Sequence, residues 1–527
     1  MGSSAVLVAA ISPVSLSARR WESTTVIPAR RSPPPTYSAV HDWREHDVGV
    51  AGRAADEADH DVGVCRVARD EPVPLAFRVP VAVGEFRYSK IWYDALFGTT
   101  GRRGVAQRHA DLRLPAGGVT RYETEAFFHL PAVGRYRMRW RYSETVLTLC
   151  TAAFFITMTG RLALSPIIPD ISADLGISNA AIGGALTAMW VTYALVQFPS
   201  GVLADRFGEP VVILVSVVGT GATVLLIGAA PVFGVFVLGT VFLGAAAGLH
   251  YSVATGLITR TYDDIGTAIG LHNAGGPAAG LVTPLAITWV AGAHGWRGAL
   301  GLFAGPAALV GGLFWWRVRS VQPRRPDQPM RERFALGPIV SLLSRPTVAF
   351  TAIIAAISDF TWQALASFLP TFFVQYHGYS RTTASTLFAL YFVAHGILQV
   401  GVGSVADYFG RDIGTALCMV TGIAGLTTLV FGTGIELVVA GLLSLGMGMG
   451  WSAAVFPRFM DHLSQSEQSS GFGVIRTAYM LVAAWGSVVV GTLADLFGWA
   501  VSFGALVALL GVALGLLVGN RALGLGY

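Results

Sequence analysis

The sequence predicts an all-α membrane protein in which twelve transmembrane helices form two pseudo-symmetric six-helix bundles. Three observations predict this fold: the density of charged residues falls after residue 137, apolar runs of about twenty residues recur, and short motifs repeat about 202 residues apart. A run of about twenty apolar residues is long enough to cross a hydrocarbon core of about 30 Å as a helix.

The charge distribution divides the chain into two parts. Of its 67 charged residues, 33 lie in residues 1–137 and 34 lie in residues 138–527. The second part is therefore only about 9% charged, whereas soluble domains are about 25% charged. This composition excludes a water-soluble globule from Met138 onward.

Residues 1–137 have a different composition, with a proline-rich stretch at 30–35 and an Asp-, Glu- and His-rich stretch at 41–61. They show no sustained helical or strand period. We expect either a misassigned start, with the natural chain beginning at Met138, or a disordered cytoplasmic extension.

The apolar runs form two sets of six. They lie at 146–165, 180–202, 211–230, 233–256, 267–292 and 298–316, and then at 347–370, 383–404, 413–433, 436–457, 470–492 and 498–519. They predict an N-terminal bundle within 138–316, a basic cytoplasmic loop at 317–346 and a C-terminal bundle within 347–527.

Arginine placement predicts the orientation. With the N-terminus inside, the predicted cytoplasmic segments contain fourteen arginines and the outer loops contain only Arg297 and Arg381. Basic residues favour the cytoplasmic side of membrane proteins. We expect a multi-pass protein of the cytoplasmic membrane with both termini inside.

Motifs repeat between the two sets of runs. The stretch 201–208, GVLADRFG, closes the second run, and 403–411, GSVADYFGR, closes the eighth. Asp205 and Asp407 are 202 residues apart, as are Ser165 and Ser367, and Trp296 and Trp499 are 203 apart. This spacing predicts a duplicated six-helix unit, which suits a carrier whose two halves rock about a central site.

From Met138 to the end, about 380 residues, these features resemble the major facilitator superfamily. Its loop signature between spans two and three, with a weaker copy between spans eight and nine, is similar to the two stretches above. The resemblance implies a conformational latch in which Asp205 docks near Ser469 and Ser470. Its residues would be Gly201, Asp205, Arg206, Gly208, Gly403, Asp407, Gly410 and Arg411. The chain departs from the signature at Glu209, Pro210 and Tyr408.

Ionisable residues within the runs are candidates for function, because burying them in a membrane is costly. Asp359 lies about twelve residues into the seventh run, about 18 Å deep. We expect it to bind and release a proton during transport. His395, near the middle of the eighth run, is a second candidate for this proton.

Arg161 lies about fifteen residues into the first run and precedes Ser165 and Pro166. This pattern resembles the anion–cation symporter branch, which implies that Arg161 holds a substrate carboxylate or phosphate. A guanidinium suits this task because it stays charged and donates two parallel hydrogen bonds. Its repeat mate is Gln363, and Arg476 in the eleventh run is a second candidate ligand.

The sequence therefore predicts a secondary transporter, and not an enzyme, that moves a small anion by alternating access, with protons as the coupling ion. We expect a monomer in the lipid bilayer that binds no nucleic acid, metal or cofactor. A drug/proton antiporter is an alternative, favoured by the Gly-Pro-x-x-Gly stretch at 276–280. A non-transporting membrane sensor is a more distant one.

Overall fold

The computed structural model describes residues 141–262, 264–323, 341–464 and 467–527, all of them helical or in short connections. The expectations for residues 1–137 and for most of the 317–346 loop lie outside the described residues. The N-terminal half contains eight helices: α1 Tyr142–Leu162, α2 Ile168–Leu175, α3 Asn179–Phe207, α4 Glu209–Gly228, α5 Phe233–Gly248, α6 Tyr251–Thr259, α7 Ile265–Asn273 and α8 Gly275–Arg317.

The C-terminal half also contains eight described helices. They are α9 Pro346–Gln375, α10 Arg381–Phe409, α11 Arg411–Phe431, α12 Ile435–Gly448, α13 Ser452–Asp461, α14 Glu467–Ala483, α15 Gly486–Phe497 and α16 Trp499–Ala522. Short 3₁₀ turns follow α1, at Ser165–Ile167, and α12, at Met449–Trp451.

Eleven helical stretches among the described residues are long and apolar enough to cross a membrane. One of them, Ile265–Arg317, has 53 residues. At 1.5 Å per residue it is about 80 Å long, more than twice the length that one crossing needs. Its backbone leaves the helical conformation at Gly295, where φ is 69°. This stretch therefore contains the fifth and sixth crossings, which were predicted as separate runs, and the all-α twelve-crossing fold is confirmed.

The repeat is visible in helix boundaries. Helices α3 and α10 each have 29 residues and begin 202 residues apart. Each is preceded by a serine, Ser178 or Ser380, whose hydroxyl accepts a hydrogen bond from a backbone N–H in the first turn. Each ends at a glycine with positive φ, 88° at Gly208 and 102° at Gly410. Residues with a side chain rarely adopt this backbone conformation, so Gly208 and Gly410 have a geometric role at the ends of the two helices.

Several crossings predicted as continuous helices are interrupted. The fourth breaks between α5 and α6, the fifth between α7 and α8, the tenth at Met449–Trp451 and the eleventh between α14 and α15. Broken membrane helices are tolerated where the freed backbone lines a cavity or is buried in protein. The breaks place Tyr251, Ala274 and Trp451 beside the central cavity.

An even number of crossings puts the start of α1 and the end of α16 on the same side. We call this side the terminal face and the opposite side the distal face. The hydroxyl of Tyr142, at the start of α1, accepts a hydrogen bond from the N–H of Arg319, just after α8, at 2.9 Å. The carbonyl of Tyr527 accepts from Asn520 and from Arg458.

Candidate functional site

A cavity of about 860 Å³ lies between the two halves. Its walls come from α1, α3, α6, α7 and α8 on one side, and from α9, α10, α13, α14 and the 3₁₀ turn at Met449–Trp451 on the other. All five residues predicted to bind substrate or protons line it: Arg161, Asp359, Gln363, His395 and Arg476. Eight aromatic residues also line it: Phe154, Trp190, Tyr193, Tyr251, Trp362, Trp451, Phe456 and Tyr479.

Arg161 is in the last turn of α1 and its side chain is buried in the cavity wall, at 5% exposure. Its Nε donates to the carbonyl of Thr157 at 3.3 Å, and its Nη2 contacts the sulfur of Met158 at 3.2 Å. The guanidinium carbon lies 4.2 Å from the ring centre of Tyr193 and 5.3 Å from that of Trp190. The side chain thus lies among protein groups rather than extending toward a membrane surface.

Arg476 enters the cavity from α14 in the opposite half. Its guanidinium carbon lies 4.5 Å above the ring of Tyr251, a cation–π contact between the two halves. Its Nε is buried and donates no hydrogen bond to the described residues. A buried guanidinium with unused donors can form charge-assisted hydrogen bonds to an anion.

Asp359 and Gln363 are one turn apart on α9. The Nε2 of Gln363 donates to Asp359 Oδ2 at 2.7 Å, while Gln363 Oε1 has no hydrogen-bond partner among the described groups. Asp359 attracts both Arg476 and Arg161 electrostatically, but no ion pair joins it to either among the described residues. The three charged groups therefore line one cavity without forming an ion pair with one another among the described residues.

His395 lines the same cavity but has other neighbours. Its ring stacks on Tyr391, with centroids 6.2 Å apart, and lies beside the backbone of Gly446. Its Nδ1 has no partner in the described part of the chain. The charged groups that act on Asp359 are the two arginines. The structure thus groups Arg161, Asp359, Gln363 and Arg476 electrostatically, and places His395 on another part of the wall.

On the distal side, polar contacts between the halves close the cavity. The hydroxyl of Ser165 donates to the carbonyl of its repeat mate, Ser367, at 2.8 Å. Thr187 donates to the carbonyl of Ala484 and accepts from the N–H of Val488. Three further contacts cross nearby: the Asp170–Arg381 ion pair, the Thr288–Ser385 hydrogen bond, and the Trp190–Trp362 ring contact.

Asp495 is a distal-face residue that the sequence prediction missed. Its carboxylate accepts hydrogen bonds from the Asn179 N–H at 3.3 Å, Asn179 Nδ2 at 2.8 Å and the Ala180 N–H at 2.7 Å. It therefore caps the N-terminus of α3, where unpaired N–H groups and the helix dipole favour a negative charge. The stretch 491–498, GTLADLFG, is a third copy of the loop motif and was the available signal.

On the terminal face, the predicted latch residues lie at the ends of α3 and α10. The guanidinium of Arg206 lies 5.6 Å from the ring centre of Phe207, and Arg411 pairs with Asp407 and with Asp461. The predicted partners of Asp205, the side chains of Ser469 and Ser470, are outside the described residues. Glu209, a departure from the signature, is buried and paired with Arg260 at 2.7 Å, so its charge is balanced by α6.

Glu467 anchors the first turn of α14, which precedes the membrane span that begins at Gly471. Arg345 donates to the two carboxylate oxygens of Glu467 at 2.6 and 3.1 Å, and Ser464 donates through its N–H and hydroxyl. The Arg345 guanidinium, followed by Ser464, lowers the pKa of Glu467 to about 2. This carboxylate therefore stays charged throughout the physiological pH range.

The sequence profile of the Major Facilitator Superfamily matches residues 150–372 and 351–522. The chain belongs to this superfamily. Members of known structure share its fold: a bacterial homologue of the human lysosomal transporter Spinster, in an inward-facing and unoccupied conformation, matches with a TM-score of 0.61 and 17% identity, covering 72% of this chain and 97% of that one. Identity this low supports the fold alone.

Two curated relatives of this superfamily member are informative. The membrane sensor protein UhpC of Escherichia coli (strain K12) is 28% identical over 189 residues, which cover 35% of this chain and 42% of the relative. The hexuronate transporter of Bacillus subtilis (strain 168) is 22% identical over 318 residues, which cover 58% and 74%. The match to the sensor thus spans less than half of that protein's length. The superfamily and its fold neighbours are transporters rather than enzymes.

Proposed function

We propose that this superfamily member is a secondary transporter that carries a small organic anion, together with protons, across the cytoplasmic membrane by alternating access. The observation that carries this proposal is the pair of arginines, Arg161 and Arg476, which face one cavity from opposite halves without an ion-pair partner among the described residues. The likeness to a hexuronate transporter supports an anionic substrate, since a hexuronate is a carboxylate.

In this proposal the anion binds between the two arginines. The Nη1 of Arg161 is available to it, because the printed contacts of the guanidinium with described residues use Nε and Nη2. The Oε1 of Gln363 has no partner among the described groups. It would accept a hydrogen bond from a substrate hydroxyl or a protonated group. An anion that touches both arginines joins the two halves, and binding energy of this kind can drive a rocking motion.

Asp359 is the proposed proton carrier, with His395 as a secondary candidate. With Asp359 charged, the two arginines and this carboxylate give the cavity a net charge of about +1; with Asp359 neutral, the charge is about +2. Protonation therefore strengthens the attraction for an anion. This dependence is the physical basis of symport in the proposal.

The motif residues would control how the halves dock. Asp205 and Asp407, with the glycines and arginines of their loops, would act on the terminal face, and Asp495 on the distal face. We take the terminal face as cytoplasmic, as the arginine distribution predicts, and the transporter as a monomer. Because the distal face is closed by direct contacts, the conformer described does not exchange substrate with the distal side.

A membrane sensor is the second candidate, favoured by the likeness to UhpC. It would bind an anion in the same cavity without moving it. A drug/proton antiporter is less consistent with the cavity, because two arginines repel cationic drugs.

The test is uptake by proteoliposomes with an imposed pH gradient, screening small carboxylates, phosphates and sugars. The proposal predicts that one anion accumulates with the gradient and that Arg161→Ala abolishes this. Arg521→Ala, which removes an exposed arginine at the end of α16, is the matched control and should behave as wild type. Asp359→Asn should keep anion exchange but lose accumulation driven by the gradient.

Three results would redirect the proposal. An anion that binds but never crosses the bilayer favours the sensor. Expulsion of a lipophilic cation, with no anion moved, favours the antiporter. Anion uptake that is unchanged in Arg161→Ala contradicts the assigned site.

A further inference from the structure

Two buried histidines lie directly behind the cavity wall in the N-terminal half. His250 is at the break between α5 and α6, and His272 is one residue before the end of α7. Both are fully buried, and their ring centroids are 5.5 Å apart. Phe154, which lines the cavity, packs on both rings, at 5.8 Å from His250 and 5.1 Å from His272.

None of the four ring nitrogens of this pair has a hydrogen-bond partner among the described groups. A buried polar group that is left unpaired has lost its hydrogen bonds to water without replacement, so four such groups in one place are destabilising. Such groups in a folded protein call for an explanation, such as a role in catalysis or an ion. With their centroids 5.5 Å apart, the two rings are close enough for facing nitrogens to form a hydrogen bond of about 3 Å.

A hydrogen bond between the two rings, with room for one added proton, accounts for these nitrogens. Two neutral imidazoles joined by one N–H···N bond keep one outer acceptor nitrogen; when the pair takes up a proton there, the central proton is shared between the rings and both outer nitrogens become donors. The backbone of Cys150, on α1, lies next to His250 and offers a further contact. No group of three or more potential metal ligands is found among the described residues, which disfavours a metal ion as the occupant.

The charged and titratable groups around the pair link it to the cavity. From α1, the positive charge of Arg161 opposes a positive charge on His250, and the backbone of Cys150 lies next to that ring. From α6, the ring of Tyr251 lies 6.0 Å from that of His272. The guanidinium of Arg476, from α14, packs on the same tyrosine ring. Thus both proposed anion ligands are close to the pair, one directly and one through a single ring.

We propose that His250 and His272 form a second proton-binding site, which shares one proton between the two rings and is coupled to the anion bound in the cavity. The proton and the two arginines repel one another, and a bound anion offsets that repulsion. By linkage, the anion then favours the bound proton and the proton favours the bound anion. The coupling rests on the proposed function in one respect, that the anion binds between Arg161 and Arg476.

The first experiment needs no substrate. Protein with ¹⁵N-labelled histidine is reconstituted in lipid nanodiscs and followed by NMR from pH 4 to pH 9, with His250→Gln and His272→Gln to assign the signals. We expect the two imidazoles to titrate together, and each single variant to abolish the shared titration of the other ring. His294→Gln, an exposed histidine, is the matched control. Two rings that titrate independently, or that both stay neutral across this range, would overturn the shared-proton site.

The second experiment repeats the titration with acetate, benzoate, D-glucuronate, nitrate and inorganic phosphate as probes. An anion that shifts the joint titration of the pair, in wild type but not in Arg161→Ala, supports the coupling. A joint titration that none of the probes shifts overturns the coupling, while the uptake assay decides the proposed function separately.

A double variant, His250→Phe with His272→Phe, separates a proton site from a structural pair. Phenylalanine keeps an aromatic ring next to Phe154 and removes four unpaired nitrogens, so we expect the thermal stability in detergent to be equal or higher. The pH dependence of anion affinity between pH 5 and pH 7 should flatten. If the double variant is strongly destabilised and its pH dependence is unchanged, the histidines are structural and the proposal fails.

Discussion

The two faces of the boundary between the halves are built differently. On the distal face, small side chains and backbone groups meet directly, through Ser165–Ser367, Thr187–Ala484 and the carboxylate of Asp495 on the start of α3. On the terminal face, the described polar contacts of the motif residues lie within each half, as in Arg260–Glu209 and Arg411–Asp407. The distal seal thus joins the halves, whereas these terminal ion pairs shape each half separately.

The same sequence motif serves both faces. Its copy at 201–208 ends α3 on the terminal face, and its copy at 491–498 ends α15 on the distal face. In the copy on α15, Asp495 caps the opposite end of α3. If Asp205 docks at the start of α14, as the superfamily resemblance implies, the second and eleventh crossings would be held together by Asp205 at the terminal end or by Asp495 at the distal end.

Gly183→Ala should have the largest effect on the balance between the distal-closed and distal-open states. A Cβ at Gly183 would lie 2.5 Å from the carbonyl oxygen of Ser487, so the distal seal cannot close without a backbone shift. Overpacking costs about 1–3 kcal/mol, which is about a 5- to 150-fold shift toward the distal-open state. Spin labels attached to Ala173→Cys and Thr433→Cys, one in each half, would report a longer distance between the halves on the distal face.

The neighbouring glycine provides the control. A Cβ at Gly184 has nothing within 4 Å, so Gly184→Ala should leave the distances and the transport rate unchanged. Equal behaviour of the two alanine variants would contradict the close approach of α3 and α15.

Asp495→Ala should have the next largest effect. It removes three hydrogen bonds at the start of α3, and losing a helix cap costs about 1–2 kcal/mol. We therefore expect about a tenfold shift toward the distal-open state in the same spin-label measurement. Glu436→Gln, which alters an exposed acid on the same face, should show no shift. A wild-type distance distribution in Asp495→Ala would contradict the role of Asp495 in holding the distal face closed.

Ser165→Ala should produce a smaller shift in the same direction. It removes one hydrogen bond to Ser367 and leaves the other distal contacts in place. Such a bond contributes about 0.5–1.5 kcal/mol to the stability of the closed state. The expected change in the two populations is about threefold, by the same spin-label measurement. A change as large as that of Gly183→Ala would indicate that the seal depends on this single bond.

The smallest effect should come from Glu467→Gln on the terminal face. The pKa of Glu467 is lowered to about 2, so its pairing with Arg345 contributes fully above about pH 4.5 and is lost only as the pH falls through about 2. The pH profile of transport between pH 5 and pH 8 should therefore match wild type. A changed profile would mean that the start of α14 takes part in proton coupling.

Much of the fold was predictable because it depends on local composition. Runs of apolar residues predicted the crossings, and Ser178, Ser380, Gly208 and Gly410 fix helix ends through local backbone geometry. The break at Gly295 was also expected from the gap between two runs, although the structure has no connecting loop there. The breaks within single crossings were not predicted, since hydropathy does not report helix continuity.

The sequence predicted that these charged residues are buried, but not how they are grouped. A charged residue in an apolar run is expected to face protein or a cavity, and Arg161, Asp359 and Arg476 all line one cavity. The rotation of each helix is not encoded in hydropathy, so the separation of His395 from Asp359 was not predictable. The contact of Asp495 with Asn179, 316 residues apart, also required the fold.

The central claim is that one anion binds between Arg161 and Arg476. A double-mutant cycle on anion affinity tests it most directly, with Arg161→Ala, Arg476→Ala and the double variant measured for the anion found by the uptake screen. If both arginines hold the same anion, each single variant should weaken binding at least tenfold. The double variant should then be weaker than wild type by clearly less than the product of the two. An unchanged affinity in either single variant, or losses that simply multiply, would contradict the claim.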